Sequence, residues 1–155
     1  MRIGIGFDIH RLVADRALVL GGIRIPYGKG LLGHSDADVI LHALCDALLG
    51  AVGAGDMGSY FPDTDPQWKG ARSAVFVSKA LELANKKKLS IVNADLVVLA
   101  EAPKLAPHRA AIHRSLAKTL KVKPEQVNLK AKTMEGLGPI GAGEAIAAYA
   151  VVSLE

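Results

Sequence analysis

Apolar positions alternate through residues 1–11, MRIGIGFDIHR, as they do in a buried strand, and the run ends on an aspartate and a histidine two positions apart. Successive side chains of an extended chain point to opposite faces, so Asp8 and His10 share one face and Phe7 and Ile9 the other. Residues 17–30, ALVLGGIRIPYGKG, read as short strands punctuated by Gly and Pro. After the loop LLGHSDAD, the spacing of DVILHALCDALLGAV predicts a helix over 38–52, with Ser35 or Asp36 as its N-cap. The polar loop GDMGSYFPDTDPQWKG, residues 55–70, is long for a plain connection, and its acids and aromatics point to function. A helix near 72–88, a strand at 90–100, a helix near 107–120 and strands at 127–132 and 144–155 complete the chain.

Strands and helices mix here without strict alternation, which predicts an α+β fold: one mixed sheet covered on one face by helices. The last strand, AIAAYAVVSL, is apolar on both faces, so its second face needs a cover as well, and association through sheets is one way to supply it. At 155 residues, with no linker or composition break, residues 1–155 read as one domain. No apolar stretch approaches membrane-spanning length, and Arg2 and Asp8 interrupt any signal-peptide pattern, so a cytoplasmic protein is expected. The single Cys45 excludes an internal disulfide and falls in an apolar helical pattern, as a small core residue would.

The net charge of +4 is unevenly spread: residues 1–65 hold eight acids and five Lys/Arg, while residues 66–155 hold seven acids and fourteen Lys/Arg. The acidic part suits a metal and the basic part suits phosphate. Nucleic acid is not expected, because stacking aromatics are scarce and the lysines at 86–88 sit where a helix ends, complementing its dipole.

On the first long helix, Asp38, His42 and Asp46 are spaced i, i+4, i+8 and form a polar stripe beside Leu41, Leu44, Cys45 and Leu48. Aspartates one turn away on either side can hold a histidine in one tautomer, as metal-binding histidines require. With Asp8 and His10, His42 completes a set of two histidines and one carboxylate. Three protein ligands leave a tetrahedral ion one open position, a catalytic pattern that serves zinc and equally non-haem iron. Between strand and helix, His34 and Ser35 can donate to an anion near the helix N-terminus, or serve as ordinary loop and cap residues.

The segments GFDIHR, GHSDADVILHAL, GDMG, FPDTD, EAPKLAPH and AKTMEGLG stand in the order and spacing of the 2-C-methyl-D-erythritol 2,4-cyclodiphosphate synthase family, and the resemblance spans nearly the whole chain. It implies cyclisation of 4-diphosphocytidyl-2-C-methyl-D-erythritol 2-phosphate with release of CMP, in the non-mevalonate route to isoprenoids. It also implies a homotrimer with inward-facing sheets, ferredoxin-like βαβ elements and active sites between subunits. By the same resemblance Asp8, His10 and His42 hold zinc, while His34 and Thr133 stabilise the transition state. Glu135 holds magnesium or manganese, and Ser35 lies near the phosphates; Lys132 stands where relatives often carry threonine, and either adds a cation beside the α-phosphate or faces solvent. Asp56, Gly58, Phe61, Asp63 and Asp65 would hold the erythritol portion. Ala100, Pro103, Lys104, Leu105 and Ala106 would form the cytosine pocket.

Two features stand apart from that pattern. GLGPIG, residues 136–141, satisfies G-x-G-x-x-G literally, but Pro139 and the following apolar strand predict a hairpin or loop rather than the helix a dinucleotide fingerprint needs. Bacterial members of the family carry an aromatic and an arginine at the positions of Pro139 and Ala142, beside a central trimer cavity where isoprenoid diphosphates bind. Ala142 offers no charge to such a ligand, and Phe7 is a candidate lining residue of that cavity. Two other readings of the metal set are a zinc phosphohydrolase and a metal-binding scaffold without turnover.

Overall fold

Glycine spacing decides how the first strand sits. In the computed structural model, which describes residues 1–155, strand β1 (Arg2–Ala14) turns Gly4 and Gly6 toward helix α1 (Val39–Val52). A Cβ on either glycine would lie 1.9 Å from a helix carbonyl, that of Ala47 or Ala43. Only glycine lets the helix backbone come this close. The isoleucines between them point the other way: Ile3 and Ile5 are 64% and 68% exposed. The alternation is therefore that of a strand, but in the single chain its large apolar residues face outward.

Two short strands, β2 (Leu18–Leu20) and β3 (Ile23–Ile25), form a hairpin. Strand β4 (Lys29–Leu31) pairs with the end of β1. The segment bearing His34 follows, and then α1, which buries twelve of its fourteen residues, Cys45 among them. The N-cap of α1 is Asp38 rather than Ser35 or Asp36, because its carboxylate accepts from Leu41 N–H and also from the Gly21 and Gly22 N–H groups of the hairpin. Full burial pushes the Asp38 carboxyl up to about 6, against the pull of those N–H groups.

The polar loop contains two single turns, α2 (Met57–Tyr60) and a 3₁₀ turn at Pro66–Trp68, capped by Asp56 and Asp65. Helix α3 (Ala74–Lys86) packs on α1. Lys87, just beyond it, donates from Nζ to the Val52 carbonyl at 2.6 Å, so one of the expected end-of-helix lysines serves the C-terminus of α1. Strand β5 (Ile91–Leu99), helix α4 (Arg109–Leu120) and strand β6 (Val127–Lys132) follow, with β5 and β6 parallel. GLGPIG holds one helical turn, α5 (Gly138–Gly141), where a hairpin or loop is predicted, with Pro139 in its first turn. A single turn entering an antiparallel strand still lacks the long helix that a dinucleotide fingerprint opens.

Strand β7 (Ala145–Leu154) lies between β1 and β5 and is antiparallel to both, which gives the mixed order β4-β1-β7-β5-β6. Helices α1, α3 and α4 share one side of this sheet, where Ile146, Ala148, Ala150 and Val152 of β7 are buried. Tyr149 and Val151 emerge on the opposite side with Ile3, Ile5, Phe7 and Ile9, so that side is open over the second half of β7, while Ala145 and Ala147 at its start are buried with Ile140 of α5. Phe7 and Tyr149 stack there, ring centroids 4.6 Å apart. No helix is long and apolar enough to cross a membrane.

Candidate active site

The close approach permitted by Gly4 and Gly6 brings α1 against the middle of β1, which runs on past His10 to Ala14 rather than ending there, and the sheet face carrying Asp8 and His10 meets His42. Asp8 Oδ2 lies 2.9 Å from both His10 Nε2 and His42 Nδ1, and the two nitrogens are 3.1 Å apart. The edges of a zinc tetrahedron with these donors are about 3.3 Å. The triangle is slightly tighter than that and of the right shape, so three protein donors fit one ion with a position left open. Burial alone would raise the Asp8 carboxyl, but the close imidazoles of His10 and His42 outweigh it and hold the group well below the usual range. Burial likewise works to lower His10, and Asp8 overcomes it, leaving the imidazole raised above 6.5.

Each histidine has a second contact. His10 Nδ1 donates to the Leu32 carbonyl at 2.7 Å, which leaves Nε2 as a lone-pair donor. His42 Nε2 lies 3.1 Å from Ser35 Oγ and 2.8 Å from Ser73 Oγ. The predicted flanking aspartates do neither job: Asp38 caps α1, and Asp46 accepts from Met57 N–H at 2.7 Å. They share the helix stripe with His42, but the packing of the hairpin and of α2 takes up their carboxylates. Ser73 escaped the sequence reading. Its position just before α3 suggests a cap, yet its side chain makes no cap bond.

His34 is exposed beside this cluster, and its carbonyl accepts from Gly70 N–H, tying the histidine loop to the end of the polar loop. His34, Ser35, Met57, Phe61, Asp63, Trp68 and Phe76 line a cavity of about 60 Å³. The buried Trp68 Nε1 on that lining has no hydrogen-bond partner. Asp56, Gly58 and Asp65 lie in the same loop, outside that lining.

The remaining predicted residues gather elsewhere. Thr133 Oγ1 donates to Glu135 Oε1 at 2.7 Å, in an exposed turn where Glu135 adopts a left-handed φ of 52°. Ala100 N–H donates to the Lys132 carbonyl, and Glu101 accepts from Met134 N–H. The Ala100–Ala106 segment and the Lys132–Glu135 turn therefore form one cluster, with Ala100 and Leu105 buried and Lys104 exposed. Asp8, Ala148, Val98 and Ala131 stand in one row across four strands. Three strand spacings put this cluster roughly 14 Å from the metal-type cluster of the same chain.

The YgbB family model matches residues 1–155. The chain belongs to the YgbB family. A relative in Synechococcus sp. (strain JA-2-3B'a(2-13)), 2-C-methyl-D-erythritol 2,4-cyclodiphosphate synthase, is 57% identical over 99% of this chain and 98% of its own. Two solved structures of synthases with that name have TM-scores of 0.93 and 0.92 at 47% and 45% identity, each covering 99% of this chain and 100% of the other; the second holds CDP. The expected resemblance is thus met along the entire chain, and this YgbB member is an enzyme.

Proposed function

We propose that this enzyme converts 4-diphosphocytidyl-2-C-methyl-D-erythritol 2-phosphate to 2-C-methyl-D-erythritol 2,4-cyclodiphosphate, releasing CMP. The observation that carries this reading is the triangle of Asp8, His10 and His42, open on one side next to His34 and Ser35, in a chain that matches synthases from end to end. In the reaction, a 2-phosphate oxygen forms a bond to the β-phosphorus, and the bond from that phosphorus to the oxygen of CMP breaks, its electron pair leaving with CMP. Little bond-making falls to the protein, whose task is to align two mutually repelling phosphates and offset their charge.

Zinc is the ion that Asp8, His10 and His42 would hold, and it would supply Lewis acidity toward the β-phosphate. His34 and Ser35 donate to the phosphate oxygens on which charge builds. Asp56, the Gly58 backbone and the loop of Phe61, Asp63 and Asp65 receive the erythritol hydroxyls, with the unpartnered Trp68 N–H an added donor on the cavity wall. Thr133 and Lys132 face the α-phosphate. Glu135, a lone exposed carboxylate, suits magnesium or manganese only when phosphate oxygens complete the shell. Ala100, Pro103, Lys104, Leu105 and Ala106 hold the cytosine, largely through backbone groups.

The roughly 14 Å between the two clusters supports an active site shared by neighbouring subunits, with the metal cluster of one chain facing the Thr133 cluster of the next. The apolar sheet side carrying Ile3, Ile5, Phe7 and Ile9 supports a homotrimer with its sheets turned inward. The parallel β5–α4–β6 unit is compatible with a ferredoxin-like arrangement. The enzyme works in the cytoplasm, where its highly charged nucleotide-linked substrate has no membrane to cross. Ala142, uncharged at the end of α5, gives an isoprenoid diphosphate no partner in the central cavity.

Purified protein incubated with the diphosphocytidyl substrate, zinc and magnesium should yield CMP and the cyclic diphosphate in equal amounts, and a chelator should stop both. Folded, metal-loaded protein that forms no CMP would defeat the proposal. An open diphosphate in place of the cyclic product would assign a phosphohydrolase instead.

A further inference from the structure

His42 is the only one of the three metal-type donors that sits on a helix, and its outer nitrogen is enclosed by hydroxyls. Ser73 is fully buried, Ser35 is 8% exposed and His42 is 6% exposed. Water therefore contributes little, and hydrogen-bond donors must be matched to acceptors among the residues present. Asp36 Oδ1 accepts the hydroxyl proton of Ser73, and its carboxylate also accepts from Ser73 N–H at 3.1 Å. A carboxylate only accepts, and a serine hydroxyl has one proton. That proton is committed to Asp36.

The Ser73 oxygen can then offer only lone pairs to His42 Nε2, 2.8 Å away. A lone pair on Nε2 would face it unfavourably, whereas an N–H there completes a hydrogen bond. At the other nitrogen a single acceptor, Asp8 Oδ2, lies 2.9 Å from Nδ1 and is shared with His10 Nε2, so the enclosed serine oxygens decide the proton of neutral His42 in favour of Nε2, and Nδ1 is left as a lone pair aimed at Asp8 and His10. Ser35 Oγ, 3.1 Å from the same Nε2 and already accepting from Ala37 N–H, is a second acceptor for that N–H, and its own proton stays free for another group.

We propose that Asp36 and Ser73 are positioning residues that hold His42 in the Nε2–H tautomer, so that Nδ1 is ready to receive the metal. This rests on the metal reading of the Asp8, His10 and His42 cluster. The pair also clasps two segments distant in sequence. Asp36 N–H donates to the Ala71 carbonyl and Gly70 N–H to the His34 carbonyl, so the histidine loop, the end of the polar loop and the start of α3 are tied together next to His42. No contact with substrate is required of either residue.

The substitution that separates positioning from packing is Asp36→Asn, which keeps shape and removes charge. An Asn amide can donate to Ser73, releasing the serine proton toward His42 Nε2 and reversing the tautomer. Nitrogen-15 NMR of the metal-free, full-length protein in mildly alkaline buffer reads the tautomer directly. Wild type is expected to show His42 protonated at Nε2, and Asp36→Asn and Ser73→Ala to show a mixture or the Nδ1–H form. In parallel, the zinc dissociation constant measured against a competing chelator should rise about 10- to 100-fold in both variants. Ser73→Thr, which keeps the hydroxyl, should return toward the wild-type value.

A wild-type His42 protonated at Nδ1 would overturn the proposal. Variants that lose thermal stability but keep the tautomer and the zinc affinity would also overturn it, since packing alone would then explain the contacts. Wild-type protein that binds no zinc would instead count against the metal reading, while the metal-free spectra would still decide the tautomer.

Discussion

Three lone pairs crowd together at Asp8, His10 and His42, and in the metal-free molecule a proton is what can relieve them. Asp8 is depressed and His10 raised by the same contact, so His10 holds its proton more tightly in the folded chain than in the unfolded one. The stability this gives is complete below the unfolded value of 6.5 and is lost as pH rises through the raised folded value. Asp8 acts the other way: its contribution is present above 3.8 and disappears as acid protonates it through its depressed value. Zinc needs the same His10 Nε2 free of its proton, so binding releases a proton and strengthens with pH. Denaturation midpoints measured with chelator should therefore fall from about pH 6.5 upward, while those measured with zinc should rise over the same range. Two parallel curves would show that zinc does not compete with the proton at His10.

Among the elements, the β1–α1 contact controls the site, because it sets the distance from Asp8 and His10 on the strand to His42. Gly6→Ala would place a methyl 1.9 Å from the carbonyl of Ala43, the residue next to His42 in α1. Overpacking of this kind costs about 1–3 kcal/mol or more, and relief requires α1 to move off the sheet. Urea denaturation of Gly6→Ala should show a loss at or above the top of that range, together with weakened zinc uptake. Gly28→Ala, which meets open space, serves as the control and should be nearly neutral. Equal midpoints for the two variants would contradict the role given to the glycine face.

This contact also marks how far the sequence could be read. The period of β1 and the shared face of Asp8 and His10 were visible in it, and so was the helix bearing His42. Which face turned inward was not. Hydrophobicity favours burying Ile3 and Ile5, and only the helix backbone lying on Gly4 and Gly6 reverses that choice. The partners of His42 were hidden for a different reason: Ser73 comes from a helix start 31 residues further on, and of the correctly spaced aspartates Asp38 is taken by the cap of α1 and the hairpin turn, and Asp46 by the start of α2. Thr133 and Glu135 carry no spacing signal at all and entered only through family resemblance.

At the scale of the whole molecule, the sheet exposes an apolar side and divides the proposed catalytic residues into two clusters, and one assembly answers both. The metal cluster is complete within a chain, since Asp8, His10 and His42 come from β1 and α1. The Thr133 cluster is complete as well, but lies roughly 14 Å away across the sheet. Light scattering at micromolar concentration should therefore give three times the chain mass. Ile5→Lys puts a charge on the apolar sheet side, on the face opposite Asp8, and is expected to lower that mass. The same variant should keep one zinc per chain and lose turnover by at least about 100-fold, because remote binding groups and reacting groups would no longer meet in one site. Full turnover by a monomeric Ile5→Lys protein would mean that a single chain closes over its substrate by itself, and the shared site would have to be abandoned.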